Sequence, residues 1–256
     1  MSENVKIQAL DKALDIIEFL YHYGKEASIG NISEGTGLCG STVFRQLSTL
    51  KARGYIYQNT ENSKYSLGLR FYALGSYVRE HLPLINIIAP KAEKIAEKYG
   101  QTIYVTIPSF DSSMCAQQMI VYRKSFGLFI ARNAATVGMI TPSHAAATGK
   151  CMMAHYPDEI IRQYEQFPLL RLTEKTITDW TMLKAELKSI KEKGYALDSE
   201  EEEEGQTCIA VPVIDSQQKI MASISLSGQT KSIFKYPVND IVKDLNGIVE
   251  EIRRFI

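Results

Sequence analysis

Hydrophobic positions in the first part of the chain fall into three helical stretches followed by a pair of strands. Ile7, Leu10, Leu14, Ile17 and Leu20 recur every three or four residues, with Asp11, Lys12, Asp15 and Glu18 between them. That spacing puts one apolar stripe along an α-helix and predicts that the stripe faces the core, with the helix ending near Gly24. Ser28 is placed to cap a second, short helix carrying Ile32, broken by Gly35 and Gly37 before Leu38. In a third helix, over 40–54, Val43, Leu47 and Leu50 share one face while Thr42, Arg45, Gln46 and Thr49 point outward. Residues 55–58 and 64–67 then read as two short strands around the polar turn 59–63, a hairpin directly after the third helix.

Three helices and a hairpin in that order make a winged helix-turn-helix. Arg and Gln side chains can pair with guanine and adenine edges, and Ser41 and Thr42 at a helix start can hold a phosphate beside the free amides. The same elements also read as a structural module with no ligand, and periodicity alone leaves both readings open.

Farther on, Phe71, Leu74, Val78 and Leu82 carry another helical stripe, ending at Pro83. A helix is predicted over 89–99, stopped by Gly100, and residues 102–107 alternate as a strand ended by Pro108. Residues 114–123, 128–131, 209–214 and 220–227 read as strands; 149–154, 158–167, 179–193 and 238–256 read as helices, with a turn at 215–218. Strands and helices interspersed in this way imply an α+β domain on a mainly antiparallel sheet rather than a doubly wound parallel one.

A hydrophobic content of 45% over 256 residues is enough for a substantial core. Lys and Arg number 29 and Asp and Glu 29, so net charge does not name a partner and local motifs must. Cys39, Cys115, Cys151 and Cys208 are far apart with no CxxC, which fits reduced thiols. No apolar run is long enough to span a bilayer and the start lacks the features of a secretory signal, so a soluble cytoplasmic protein is expected. GxGxxG, GxxxxGK[ST], HExxH and GxSxG are all absent, and no cofactor is expected.

Three clusters stand out in the second half. Residues 143–150, Ser-His-Ala-Ala-Ala-Thr-Gly-Lys, form a run of small residues before a helix, which suits either tight helix packing or an anion held by free amides. Asp198 and Cys208 flank the glutamates at 200–204; the run itself reads as solvated, whereas its two flanking residues suit either a core or a cavity. Ser223, Ser225 and Ser227 alternate with Ile224 and Leu226, so the hydroxyls share a face that is either solvent-exposed or the floor of a pocket.

Ala-Leu-Asp-Lys-Ala-Leu at 9–14, Ser-Thr-Val-Phe-Arg at 41–45, Leu-Lys-Ala-Arg-Gly-Tyr at 50–55 and Tyr-Ser-Leu-Gly at 65–68 resemble the IclR-type family of bacterial transcriptional regulators. The three later clusters resemble the sensor domain of the same family, so the likeness covers nearly the whole chain. It implies a DNA-binding domain over 1–70, a linker helix and dimer contact over 71–88, and a GAF-like effector-binding domain over 89–256. Ser41, Thr42, Arg45 and Gln46 become the groove-facing residues, with Lys51, Arg53 and Lys64 on phosphates. In the sensor, Ala147 and Thr148 would offer amides, Asp198, Cys208, Ser225 and Ser227 would face the ligand, and Ile130 would supply apolar wall. The resemblance implies a repressor of catabolic genes, a homodimer or dimer of dimers on a palindromic or semi-palindromic operator, and a small organic acid as effector. No Arg or Lys falls in this pocket set, so amides and hydroxyls are expected to hold the acid, with Asp198 protonated, bonded to a ligand hydroxyl or turned aside. Two rival readings have no local motif behind them: a thiol enzyme with Cys208 as nucleophile, His144 as base and Asp198 as orienting acid, and a metal sensor using His144, His155, Cys151 and Cys208.

Overall fold

The computed structural model describes residues 7–109, 116–125 and 135–253, and the chain divides into two compact units, Met1–Leu82 and Pro83–Ile256. The first unit holds α1 (Gln8–Tyr23), α2 (Ile29–Thr36), α3 (Gly40–Ala52), β1 (Ile56–Gln58), β2 (Tyr65–Leu67) and α4 (Arg70–Glu80). Ser28 caps α2 in a reciprocal box with Asn31, and Gly37 supplies the left-handed backbone, φ 69°, that ends α2 ahead of α3. Ile16, Leu20, Ile32, Val43, Leu47, Ile56 and Tyr65 form the core of this unit. β1 and β2 pair antiparallel, with Tyr57 opposite Ser66, and Ala27 adds a bridge to Tyr65.

α1 buries only the end of the expected stripe, Leu20 fully and Ile17 partly. Ala13, Ile16 and Leu20 are inside, whereas Ile7, Leu10 and Leu14 are exposed, Ile7 at 68%. Apolar residues in α1 occupy more than one stripe at helical spacing, and contact with α2 and α3 selects the stripe centred on Ile16. α4 likewise buries none of its residues, leaving Tyr72, Tyr77 and Val78 exposed.

The second unit comprises α5 (Pro83–Tyr99), β3 (Thr102–Ser109), β4 (Gln117–Ser125), β5 (Ile140–Pro142), α6 (Ala147–Met153), α7 (Asp158–Tyr164), α8 (Trp180–Lys193), β6 (Ala196–Ser199), β7 (Gln206–Ile214), β8 (Ile220–Gln229), α9 (Thr230–Ile233) and α10 (Val238–Ile252). The six described strands form one sheet in the order β5-β4-β3-β8-β7-β6, antiparallel at each pairing. This is the α+β, mainly antiparallel architecture that the alternation of elements predicts. Two prolines behave differently from expectation. Pro83 opens α5, where its missing N–H has no helical partner to lose, instead of merely ending the preceding stripe. Pro108 lies within β3: pairing of β3 with β8 stops at Thr106, so beyond that point Pro108 has only β4 beside it, opposite Gln118. β5, β6 and α9 are too short to leave a periodic pattern. The strand expected over 128–131 and the helix end at 254–256 lie outside the described residues.

The two faces of the sheet differ in chemistry. Ile103, Val105, Ile209, Val211, Val213, Ile224 and Leu226 point to one side and pack with Ile88 and Ala92 of α5 and Ile241, Leu245 and Ile248 of α10. The other side carries Thr102, Tyr104, Thr106, Cys208, Ser225 and Ser227, and is only partly covered by the apolar cluster that includes α6 and α8. Among the described residues no helix is long and apolar enough to cross a membrane.

Candidate nucleic-acid interface and ligand cavity

α3 is built as an amphipathic helix whose inner face is fixed by Val43 and Leu47, 0% and 1% exposed. Ser41 and Arg45 consequently stand in solvent, with Thr42 and Gln46 half-buried at the edges of the same face. Lys51, Arg53 and Lys64 are exposed as well, Lys51 and Arg53 where α3 ends and Lys64 immediately before β2. Lys51 Nζ donates to Gln58 Oε1 at 2.7 Å, joining the end of α3 to the hairpin. Asn59 and Asn62 of the turn donate to the Glu26 carboxylate, at 3.0 and 2.8 Å. These bonds hold the Glu26 carboxyl below the usual carboxylate range, and they tie the wing to the segment before α2. The seven residues assigned to DNA by resemblance thus lie on α3, at its end and on the wing.

Two exposed neighbours were not singled out from sequence. Phe44 is exposed next to Arg45. Cys39, ahead of α3, sits 3.0 Å from Thr42 Oγ1 and 3.4 Å from Ser41 Oγ. Hydrogen bonds from Ser41 and then Thr42 lower its thiol to about 7.

In the second unit a cavity of about 510 Å³ opens on the hydroxyl-bearing face of the sheet. Register explains its floor. Asp198 pairs with Cys208, Cys208 with Ser227 and Ser227 with Thr102, one row across four strands; Ser225, Tyr104 and Arg123 form the next row. Ala147 and Thr148, at the start of α6, line the opposite wall. Six of the seven residues assigned to the effector, Ala147, Thr148, Asp198, Cys208, Ser225 and Ser227, therefore meet around one cavity. Ile130 lies outside the described residues. Ser225, 2% exposed, and Ser227 line this cavity, whereas Ser223, 0% exposed, lies outside its lining and donates to Val211 O at 3.1 Å.

Gly149 belongs to packing. A Cβ there would collide with the backbone of Ser143, so the small-residue run lets α6 approach the preceding turn while its first residues reach the cavity.

The acidic run departs from its solvated reading. Glu201 is buried and accepts a hydrogen bond from Lys150 Nζ at 2.5 Å, and the same ammonium donates to Leu197 O at 2.8 Å. Lys150, 1% exposed, requires a buried carboxylate nearby, which is the force that draws one glutamate inward. Glu200 pairs at the surface with Lys175, 3.1 Å away. Glu202 lines the cavity, where burial pushes its carboxyl to about 7.

Asp198 is 1% exposed. Burial raises its carboxyl to about 8, against the hydrogen bond it accepts from Glu201 N at 2.6 Å. Asp198 is therefore largely protonated at neutral pH, so the carboxyl does not oppose an anion in the cavity. Burial, followed by the nearby Asp198 and Glu202, also pushes the Cys208 thiol well above its usual value, and its Sγ donates to Ser227 Oγ at 2.9 Å. That is an unreactive thiol. His144 Nε2 instead bonds Leu170 O at 2.8 Å, and burial lowers its pKa. No thiol triad is assembled. Cys151 and His155 share a helix turn, but the His155 ring bonds the Cys151 carbonyl oxygen; among the described residues no group of three or more His, Cys, Asp or Glu is placed to hold a metal.

The expectation of a pocket without a cation is corrected by Arg123, which lines the cavity together with Tyr104, Thr106 and Gln118. The register of β3 with β4 shifts between Val105 and Thr106, a bulge that changes which residues share a face. Thr106 pairs with Ile120 on one side of the shift and Tyr104 with Arg123 on the other, so Ile120 and Arg123 both reach the cavity although strict alternation separates them.

The sequence matches two family descriptions: "IclR helix-turn-helix domain" over residues 9–60 and "Bacterial transcriptional regulator IclR C-terminal" over residues 76–254. It is 31% identical over 228 residues to the HTH-type transcriptional regulator XynR of Escherichia coli (strain K12), which covers 89% of this chain and 88% of that one. It is 32% identical over 248 residues to the DNA-binding transcriptional repressor YiaJ of the same organism, 96% of this chain and 86% of that one. Among solved structures, a transcriptional regulator of Alicyclobacillus acidocaldarius superposes with a TM-score of 0.84 at 23% identity, covering 97% of this chain and 98% of that one. A homologue from Microbacterium hydrocarbonoxydans complexed with 4-hydroxybenzoate superposes with a TM-score of 0.83 at 21% identity, covering 96% of this chain and 98% of the other. These relatives are transcriptional regulators, not enzymes.

Proposed function

Because the chain belongs to the IclR family of bacterial transcriptional regulators, we propose that it is a cytoplasmic repressor of catabolic genes that releases or reshapes its hold on DNA when a small organic acid enters the cavity. The observation that carries this reading is the cavity on the hydroxyl-bearing sheet face of the second unit, in a chain whose first unit is a helix-turn-helix. Repression is supported by the likeness to YiaJ, a repressor. An acid is supported by the hydroxyls of Ser225 and Ser227 and by the protonation of Asp198 near neutral pH.

On the DNA side, Arg45 and Gln46 read base edges in the major groove, Ser41 and Thr42 hold a phosphate at the start of α3, and Lys51, Arg53 and Lys64 neutralise the backbone. One such helix carries little specificity, so two copies act on half-sites related by a two-fold axis, about one helical turn apart or a multiple of it. The exposed apolar residues Ile7, Leu10 and Leu14 of α1 and Tyr72, Tyr77 and Val78 of α4 suit contact with a second copy. Domain limits of 1–70, 71–88 and 89–256 follow from this assignment, and the assembly is a homodimer or a dimer of dimers.

The test is binding to DNA fragments upstream of the protein's own gene and its neighbours, by wild type and Arg45→Ala across a salt series. Sequence-preferring binding that falls with salt and is lost with Arg45 is expected. Binding no stronger than to unrelated DNA, by folded protein, overturns the reading.

A further inference from the structure

We propose that Arg123 is the anion-pairing residue of the cavity and that the ligand is a polyhydroxylated monocarboxylic acid whose carboxylate lies against β3 and β4, away from α6. The inference rests on the sensor reading above and adds the ligand's orientation and class.

Three buried polar atoms on the same part of the cavity lack hydrogen-bond partners: Arg123 Nε, Thr106 Oγ1 and Gln118 Oε1. Thr106 and Gln118 are each 2% exposed, so water does not stand in freely for a partner. Among the described residues, no carboxylate forms an ion pair with Arg123. Its positive charge acts on Tyr104, its partner across the strands, whose hydroxyl is otherwise pushed up by burial. A guanidinium with an open N–H, a hydroxyl that can donate and an amide oxygen that accepts match a carboxylate with an α-hydroxyl beside it.

The rest of the floor selects the remainder of the molecule. Ser225 lies in the same row as Arg123, two strand spacings or roughly 10 Å away. Ser227 and Thr102 follow in the next row, so hydroxyl partners continue along the floor. Asp198 and Glu202 stand beyond them. Both carboxyl groups can hydrogen-bond ligand hydroxyls, and neither is a cation, so a second ligand carboxylate would be buried there without a countercharge. A monoanion with several hydroxyls satisfies both ends, whereas a dicarboxylate satisfies only one.

Calorimetric titration of the full-length protein with D-gluconate, its neutral counterpart D-glucitol and its diacid counterpart D-glucarate tests the inference, with glyoxylate and benzoate as reference acids. Wild type is expected to bind D-gluconate at least tenfold more tightly than D-glucitol or D-glucarate. Arg123→Gln should weaken D-gluconate at least tenfold, and Arg123→Lys should recover part of the loss. Thr106→Val, which keeps side-chain shape, should weaken it several-fold and carries the test if Arg123→Gln does not fold. Equal affinity of D-gluconate for wild type and folded Arg123→Gln overturns the inference, as does D-glucarate binding as tightly as D-gluconate. Glyoxylate or benzoate binding in place of D-gluconate also overturns it while leaving the sensor reading intact. No binding by any of the acids overturns both.

Discussion

In the first unit the groups assigned to recognition stand in water: Ser41, Arg45, Arg53 and Lys64 are exposed on a frame held by an apolar core and by the Asn59 and Asn62 bonds to Glu26. In the second unit the corresponding groups, Asp198, Cys208, Ser225 and Thr106, have been taken out of water by folding itself, and burial has moved the protonation of Asp198, Glu202 and Cys208. The difference teaches how each unit can recognise. Exposed charges keep their hydration and counterions until a partner displaces them, so DNA affinity comes from contacts made on binding and is sensitive to salt. Buried groups meet a small molecule already desolvated and arranged, so charge and shape at the cavity floor decide which ligand fits.

The sharpest way to separate the two units is to break the buried ion pair of the second. Lys150→Met strands Glu201 in the interior and should destabilise the second unit by about 3–5 kcal/mol, the usual effect of removing one member of a buried pair. Thermal melting of the variant should show the loss. An unchanged melting curve would mean that Lys150 and Glu201 are solvated.

Arg45→Ala makes the complementary change. It should leave melting within about 0.5 kcal/mol of wild type, as expected for an exposed position. It should also weaken operator binding by about 1–3 kcal/mol for each half-site. Anisotropy titrations on operator and scrambled duplexes check this, and a loss confined to the operator marks a base contact.

Acid–base behaviour distinguishes the units next. Asp198 and Glu202 have folded pKa values raised above their unfolded values, to about 8 and about 7. Between the unfolded and folded values the folded chain holds more protons, so their contribution to stability falls as pH rises from about 4 to about 8. His144 and His155 are shifted down and act in the opposite sense, but only below their ordinary range. The Cys39 thiol, lowered to about 7, also acts in the opposite sense between about pH 7 and 9, so melting of a Cys39→Ser background between pH 7 and 8.5 isolates the carboxyls. Stability should fall there by at most about 1.4 kcal/mol per pH unit per proton, and Asp198→Asn should flatten the slope. A slope unchanged by that substitution would contradict the assignment.

The smallest effect expected is at a cap. Ser28→Ala removes half of the reciprocal box with Asn31 and should lower the stability of the first unit by about 1 kcal/mol. Ligand affinity in the second unit should be untouched.

The comparison also accounts for what could be read in advance. The helix cap at Ser28, the outward set on α3 and the hairpin are local patterns, and the fold follows them. The rows Asp198-Cys208-Ser227 and Ser225-Tyr104-Arg123 depend on register across strands far apart in sequence. Arg123 was missed because a single register shift cancels the alternation that sequence reading relies on. Glu201 was misplaced because nothing near it in sequence announces Lys150, 51 residues earlier. In α1 the residues that pack are Ala13, Ile16 and Leu20, while Ile7, Leu10 and Leu14, as apolar as Ile16 and Leu20, are left exposed.

In the function proposed above, the cavity and the DNA-binding helix are energetically coupled, and coupling of binding equilibria is reciprocal. The most direct measurement is a pair of titrations of the wild-type protein: operator affinity with and without a saturating cavity acid, and acid affinity with and without saturating operator. Both are expected to change, and by the same factor. An acid that binds with its affinity dependent on Arg123 and Ser225, yet leaves operator affinity unaltered, would contradict it.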